Sequence, residues 1–224
     1  MFCALPRRRD VSSDEFHDHW RHPHGTLAMQ IASVRKYVQS HQLSTPLLGA
    51  HQARYEGVVE VWFDCESDAA LFPKDPAYSQ YLVPDEPRFI DMEGIRYVFT
   101  DEEILMSGAG PSDELDDADR AWREANRATS IKIIQLVEAD SDIPWASEQD
   151  LALGRQIGAL RHSRCRPNGI LHAEGAAFLG IRELWWPTVS AFTAGLKRAP
   201  DAWHALMSRP VRETILLAQA ERFI

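Results

Sequence analysis

The sequence predicts an α+β protein made of two copies of one structural unit, and three observations support this. Residues 57–63 read Gly-Val-Val-Glu-Val-Trp-Phe, and residues 180–186 read Gly-Ile-Arg-Glu-Leu-Trp-Trp. The second heptapeptide begins 123 residues after the first in a chain of 224 residues. Both are followed, in the same order, by a small-residue helical stretch, a Pro-aromatic step and an apolar strand that ends in Glu. A period near half the chain length indicates duplication.

Within the first copy, the pattern of apolar residues and breakers predicts two helical regions between four strands. Ser12 and Glu15 have capping-box spacing and predict a helix start, and Pro23 should kink that helix. The predicted strands are Phe2–Leu5, Val34–His41, Gly57–Phe63 and Gly94–Thr100. This β-α-β-β-α-β order is that of the ferredoxin-like split unit.

The second copy is predicted to repeat this order over residues 130–224, after residues 1–106 and an acidic linker at 107–129. A short helix is possible at Asp119–Ala128. The predicted elements are a strand at Ser130–Glu138, a helix at Ser147–Leu160, strands at Arg166–His172 and Gly180–Trp186, a helix at Thr188–Arg198 and a strand at Glu213–Glu221. Because a lone four-stranded sheet leaves a bare face and two edges, two sheets are expected to pack face to face. The chain is then a pseudo-dimeric α+β barrel with a cavity between the sheets.

The charge and amino-acid composition limit the kinds of molecule that the protein is expected to bind. The net charge of −9 argues against nucleic acid, which requires a basic surface. The three isolated cysteines show no disulfide framework and suit a reducing cytoplasm. No apolar run is long enough for a signal peptide or a membrane span. We therefore expect a cytoplasmic protein with a small-molecule partner, either a monomer with an internal pseudo-dimer or a homodimer.

Several motifs of the first copy together resemble those of the EthD family of dimeric α+β barrel proteins. They are Glu15-Phe16 with Trp20, His24-Gly25, Lys36–His41, Gly57–Asp64 and Asp85-Glu86-x-x-Phe89-Ile90-Asp91. The resemblance spans residues 1–105, whereas the second copy matches only around Gly180–Trp186 and lacks the His-Gly and Asp-Glu-x-x-Phe segments. It implies two tandem copies, the second degenerate.

The resemblance also implies a barrel cavity for a small, mostly apolar molecule. Relatives occur in ether degradation and in aromatic polyketide pathways, where some act as cofactor-free decarboxylases or dehydratases. Related barrels include isomerases, cofactor-free oxygenases and haem enzymes, so the fold alone does not select the reaction.

Three residues of the first copy are the candidates for catalysis: His24, Tyr37 and His41. An imidazole can both take and give a proton near neutral pH, and His24 belongs to the His-Gly motif. The alternative is that His24 only forms a hydrogen bond across the chain bend. Tyr37 and His41 lie four residues apart on one strand, so they share a face. His41 could instead simply cap the end of its strand.

The candidate substrate-binding residues come from both copies. They are Trp20, Glu60, Trp62, His172, Glu183 and Trp185, with His172 matched to His41. Glu60 and Trp62 share a strand face, and burial would raise the pKa of such a glutamate as acid–base catalysis needs. Its recurrence as Glu183 in the diverged second copy favours a structural role instead.

No metal or other cofactor is expected. His17, His19, His22 and His24 lie close in sequence, but only His19 and His22 have clean helical spacing. We therefore expect a cofactor-independent lyase or isomerase that decarboxylates or dehydrates a small aromatic or polyketide-like acid or ketone. The alternatives are a cofactor-free oxygenase of the same barrel class and a non-catalytic binding protein of a degradation pathway.

Overall fold

The computed structural model describes residues 1–48, 54–107, 129–138, 144–207 and 213–224. In these ranges the strands are β1 Phe2–Leu5, β2 Lys36–Gln42, β3 Gly57–Trp62, β4 Arg96–Val98, β5 Thr100–Ser107, β6 Thr129–Glu138, β7 Arg161–Pro167, β8 Phe178–Trp186 and β9 Glu213–Arg222. The α-helices are α1 Ser13–His19, α2 Gly25–Ala28, α3 Glu66–Leu71, α4 Asp150–Gln156, α5 Val189–Arg198 and α6 Pro200–Met207. None of the helices in the described ranges is long and apolar enough to cross a membrane.

The strand order confirms the duplication. The first four strands are arranged β4-β1-β3-β2, and the last four are arranged β9-β6-β8-β7. Both arrangements are antiparallel. When the strands are numbered within each unit, both have the order 4-1-3-2. The two Gly-x-x-Glu-x-Trp motifs therefore lie on the equivalent third strands, β3 and β8.

The two units join edge to edge and form one nine-stranded sheet. Strand β9 pairs with β2 of the first unit, and β5 pairs with β7 of the second. Only Phe99 separates β4 from β5, so one bent stretch of chain links the two ends of the sheet. The result is a nearly closed α+β barrel, as predicted. The two facing sheets expected from the sequence are instead one continuous sheet, because the β2 edge of the first unit pairs with β9 and the β7 edge of the second pairs with β5, while β4 and β5 are its terminal strands.

The start of the first helical region agrees with the sequence. Ser12 and Glu15 form a complete capping box at α1. A wider helical turn at Trp20–His24 contains Pro23 and joins α1 to α2. The predicted helix at Ser147–Leu160 is shorter, since α4 begins at Asp150.

The predicted strand at Arg166–His172 is wrong. Strand β7 ends at Pro167, and the chain then turns at Asn168, whose side-chain oxygen accepts hydrogen bonds from the Ile170 and Leu171 amides, both at 3.0 Å. In β2 His41 lies opposite Gly57, whereas in β7 Cys165 lies opposite Ile181. This register makes Arg166, and not His172, the counterpart of His41.

The predicted linker falls almost entirely on residues 108–128, which lie outside the described residues, as does the predicted helix at Asp119–Ala128. Its two end residues, 107 and 129, belong to β5 and β6.

The glycine that begins both heptapeptides is required by packing. Gly57 lies against the ring of Trp20, and Gly180 lies against the ring of Trp145, so closely that a Cβ at either glycine would overlap the indole. Each unit therefore packs a tryptophan onto the outer face of its third strand. Since side chains alternate along a strand, Glu60 and Glu183 point to the inner face of the barrel.

Candidate active site

The first unit contains a cavity of about 380 Å³ between the outer face of its sheet and its helical segments. Most of its wall is apolar and includes Ala28, Ile31, Val59, Val61, Phe72 and Leu82. Its polar side chains are His24, Tyr37, Tyr78, Glu86 and Tyr97, together with the Cys3 thiol. A mostly apolar cavity with a few convergent polar groups is the usual form of a small-molecule site.

His24 is paired with a carboxylate at the wall of this cavity. Its Nδ1 lies 3.0 Å from the Asp85 carboxylate, and the His24 side chain is buried, with the residue 5% exposed. His19 contacts the same carboxylate through Nε2 at 2.9 Å. Burial would raise the pKa of Asp85, but the hydrogen bonds from His24 and His19 outweigh it and lower that pKa. An ionised Asp85 assigns the proton to Nδ1 of His24 and leaves Nε2 as the basic nitrogen.

The next residue, Glu86, has the opposite electrostatic character. Burial raises its pKa, and the Tyr78 hydroxyl donates to its Oε1 at 3.1 Å. Burial also raises the pKa of Tyr78. Adjacent carboxyl groups with oppositely shifted pKa values are a common arrangement for acid and base roles in one site.

Tyr37 lines the same cavity, whereas His41 does not. The Tyr37 hydroxyl accepts a hydrogen bond from Nε2 of Gln39 at 2.7 Å, and burial raises its pKa. His41 lies on the same strand face, as predicted, but it contacts Oε1 of Gln39 at 3.0 Å and Nδ1 of His17 at 2.8 Å. Burial lowers the pKa of His41 to about 2, so its ring is neutral.

Trp20 also lies outside the lining of the cavity. Its ring is fully buried, lies with its centre 4.4 Å from that of the His41 ring at an interplanar angle of 50°, and covers Gly57. It supports the strand that carries Tyr37.

The other predicted site residues lie on the inner face of the barrel. Lys132 donates to Glu60 and, at 2.7 Å, to Glu183, and all three side chains are buried. The Lys132 ammonium lies 4.3 Å from the centre of the Trp185 ring. Burial and the neighbouring Glu60 raise the pKa of Glu183, while Lys132 opposes that shift. Trp62 faces the same interior as Glu60.

His172 joins neither group. Its Nε2 accepts a hydrogen bond from the Phe99 amide at 2.8 Å, at the bend between β4 and β5. The structure therefore separates the predicted set into an outer group with His24 and Tyr37 and an inner group with Glu60, Trp62, Glu183 and Trp185.

Asp85, Glu86 and Tyr78 are the polar residues that sequence reasoning did not place in the site. Asp85 and Glu86 were visible as part of a family-like segment, but their contact with His24 spans 61 residues and depends on the fold. The histidines of the first helix have other partners: His19 and His24 contact Asp85, and His17 contacts His41. A separate group with three possible metal-ligand atoms within 4.8 Å consists of Glu102, Cys165 and Glu183.

Residues 8–93 match the family model described as the EthD domain. This segment holds His24, Tyr37, Asp85 and Glu86, and the first unit is therefore an EthD domain. A search of curated protein sequences finds no match.

One of two similar solved structures shares the fold of this chain. A protein described as anthrone oxidase-like superposes with a TM-score of 0.58 at 11% identity, covering 100% of this chain and 91% of its own. A provisionally assigned monooxygenase from Lactobacillus acidophilus NCFM gives a TM-score of 0.47 at 8% identity, with 99% and 91% covered. At this level of identity the first similarity establishes the fold only.

Proposed function

We propose that the EthD domain is a cofactor-independent lyase or isomerase that acts by acid–base chemistry. Its substrate is a small aromatic or polyketide-like acid or ketone bound in the outer cavity. The observation that carries this proposal is the His24–Asp85 pair at the wall of a mostly apolar cavity. The small polar part of the wall suits a substrate with one oxygenated edge and an apolar body.

In this proposal, Nε2 of His24 removes a proton from a carbon next to a carbonyl group. Asp85 holds the ring in the required tautomer and stabilises the imidazolium that forms. Glu86, whose pKa is raised by burial, donates a hydrogen bond or a proton to the substrate oxygen. The Tyr37 hydroxyl is a further donor to that oxygen. Glu86 and Tyr37, and not His41, thus polarise the substrate oxygen in this proposal.

An oxygenase is the second candidate, and the anthrone oxidase-like neighbour favours it. The same base would deprotonate an electron-rich phenol or anthrone, and molecular oxygen would oxidise the resulting carbanion. The two reactions share the first step and differ in oxygen consumption. An oxygen electrode therefore distinguishes them once a substrate is known.

The proposal is tested first by a thermal-shift screen of aromatic acids and hydroxy-ketones, followed by turnover of each ligand. With a substrate found, His24→Ala should lower kcat by about 10²–10⁴-fold, the usual value of general acid–base assistance. His22→Ala is the matched control, because the His22 side chain is 67% exposed on the same helical turn. Wild-type turnover by His24→Ala would refute the role of His24.

Asp85→Asn tests the pairing itself. The asparagine keeps the shape of the side chain but removes the charge that fixes the His24 tautomer, so kcat should fall by at least about 10²-fold. Substrate affinity should change little, since Asp85 does not line the cavity. A variant that loses affinity and keeps kcat would show that Asp85 only supports the pocket wall.

A further inference from the structure

A second cavity, of about 450 Å³, opens on the inner face of the barrel where the two units meet. Its described lining includes five carboxylic acids and no side chain of Lys, Arg or His. The acids are Glu60, Asp64, Glu66, Asp101 and Glu102, and the same lining holds four aromatic residues, Phe2, Trp62, Phe63 and Phe99. Acidic and aromatic groups in one concave wall are the two features that favour an organic cation.

The charge of these acids is only partly compensated by neighbouring residues. Lys132 is shared by Glu60 and Glu183, so one ammonium serves two buried carboxyl groups. Arg161 is paired with Glu102, Arg35 is paired with Asp64, and Arg222 interacts electrostatically with Glu60. Glu66 and Asp101 are therefore the lining acids without a cationic partner among these contacts. Burial lowers the pKa of the Met1 amino group, which donates to the Val61 carbonyl, to about 6, so this amine is largely uncharged at neutral pH.

Two further acids of the lining contact a neutral partner. The Asn168 amide donates to Glu66 at 2.9 Å and to Asp101 at 3.0 Å. These hydrogen bonds leave both negative charges in place.

Glu60 supplies an independent sign of a ligand. Its Oε1 accepts hydrogen bonds from Lys132 and from Ser40, the latter at 2.7 Å. Its Oε2 is buried and has no hydrogen-bond partner. The residue is only 1% exposed and lines the cavity. A buried carboxylate oxygen without a donor is costly, and a cationic donor would relieve that cost.

We propose that the inner cavity binds a small organic monocation, an arylalkyl ammonium. Its ammonium group donates to Oε2 of Glu60, and its ring packs against Trp62 and Phe63. This site is distinct from the proposed active site, because the inner cavity and His24 lie on opposite faces of the sheet. The two cavities share only Met1, Val61 and Phe99 as wall residues.

A metal ion fits the site less well. Glu102 and Glu183, two of the three grouped ligand residues, already pair with Arg161 and Lys132. Burial raises the pKa of the third, the Cys165 thiol, well above its usual value, which disfavours the thiolate that a metal requires. The volume and the aromatic walls suit an organic body instead.

Isothermal titration of the full chain with 2-phenylethylamine and with its neutral analogue 2-phenylethanol tests the proposal. The amine should bind at least about 10-fold more tightly, because a charged ammonium donates a stronger hydrogen bond to a carboxylate than a neutral hydroxyl does. Glu60→Gln should abolish most of this preference, whereas Glu148→Gln, which removes an exposed acid outside the cavity lining, should leave the affinity unchanged. Equal affinity for the amine and the alcohol would overturn the proposal.

A second variant keeps the test valid if Glu60→Gln does not fold, because that residue also pairs with Lys132. Trp62→Leu should weaken the amine several-fold through loss of the cation–π contact. Trp203→Leu, in the second unit and outside the cavity lining, is its matched control and should leave the affinity unchanged. Undiminished binding by Trp62→Leu, or displacement of the amine by equimolar Zn²⁺, would contradict an organic-cation site.

Discussion

The outer faces of the two units share a strand register but are filled differently. In the first unit Cys3 lies opposite Val59, and both line the outer cavity. In the second unit the equivalent pair is Gln135 and Arg182. There the Arg182 guanidinium is buried and contacts Gln135, the Asp150 carboxylate at 2.7 Å and the Trp145 carbonyl at 2.7 Å. A buried ionic network thus occupies the position where the first unit keeps apolar wall.

The rest of the second unit continues this pattern. Tyr37 of the first unit lies opposite Val61, and its counterpart His162 lies opposite Leu184. Trp186 and Phe192 are fully buried in the core of the second unit, and the Trp186 indole donates to the Ile157 carbonyl at 3.2 Å. Close-packed interiors leave little room for a ligand. The comparison indicates that the outer side of the first unit keeps a cavity, whereas that of the second unit is filled by core side chains.

The largest effect that separates the units is expected at Arg182. Arg182→Met removes the closer of two cationic partners of the fully buried Asp150, the other being Arg164 at 3.5 Å, and should lower the free energy of unfolding by about 3–5 kcal/mol. The double variant Arg182→Met with Asp150→Asn should recover part of this loss, because no uncompensated charge remains. Urea denaturation followed by circular dichroism measures both.

Turnover per folded molecule, once a substrate is known, should be unchanged in Arg182→Met, since the residue lies in the second unit. A loss below about 1 kcal/mol would mean that the network does not hold the second unit together. A loss of turnover without a loss of stability would mean that the second unit takes part in catalysis.

A smaller effect should be shared by both units. Gly57→Ala and Gly180→Ala each place a methyl group against a buried indole, which should cost about 1–3 kcal/mol through overpacking. Gly169→Ala is the control, because nothing lies within 4 Å of a Cβ at that position. If only one of the two variants were destabilised, the tryptophan–glycine contact would not be a shared feature of the duplication.

The fold could be predicted largely because the residues of the repeated heptapeptide have the same structural roles on the third strand of both units. Its glycine receives an indole on the outer face, and its glutamate points inward in both units. Strand β7 was misplaced because Arg161–Arg166 reads as a polar segment. In the barrel Ser163 and Arg161 contact carboxylates of the interior. Because these inward-facing residues are polar, the strand lacks the usual alternation of apolar and polar side chains.

The candidate site was predictable only in part. His24 and Tyr37 were found because their residue types and the bend at Pro23 point to a pocket, and both line the outer cavity. The role of Asp85 could not be inferred from spacing, because its contact with His24 forms only when the distant helical turns pack together. Glu60 and Glu183 were grouped with His24 because sequence alternation shows which residues share a face but not which face holds the ligand.

The smallest effect concerns a histidine that each unit buries on its second strand. Burial, and then the charge of Arg182, lowers the pKa of His162 to about 3, and burial lowers that of His41 to about 2. An unfolded histidine titrates near pH 6.5, so the unfolded state binds more protons below that pH. Stability is therefore complete above pH 6.5 and is lost as the pH falls toward the folded pKa, by about 1.4 kcal/mol per pH unit for each histidine.

His162→Leu and His41→Leu should each reduce the pH slope of unfolding free energy by about 1 kcal/mol per pH unit between pH 6.5 and 5.5, because the unfolded histidine is only partly protonated in this window. Glu183, whose pKa is raised, opposes the histidines in this window, but it is present in all three proteins and cancels in the difference. Denaturation curves at four pH values would measure the slopes. A slope for His162→Leu parallel to that of the wild type would show that His162 becomes charged in the folded protein. A change in only one variant would reveal a further difference between the units, since their buried histidines would then differ in access to protons.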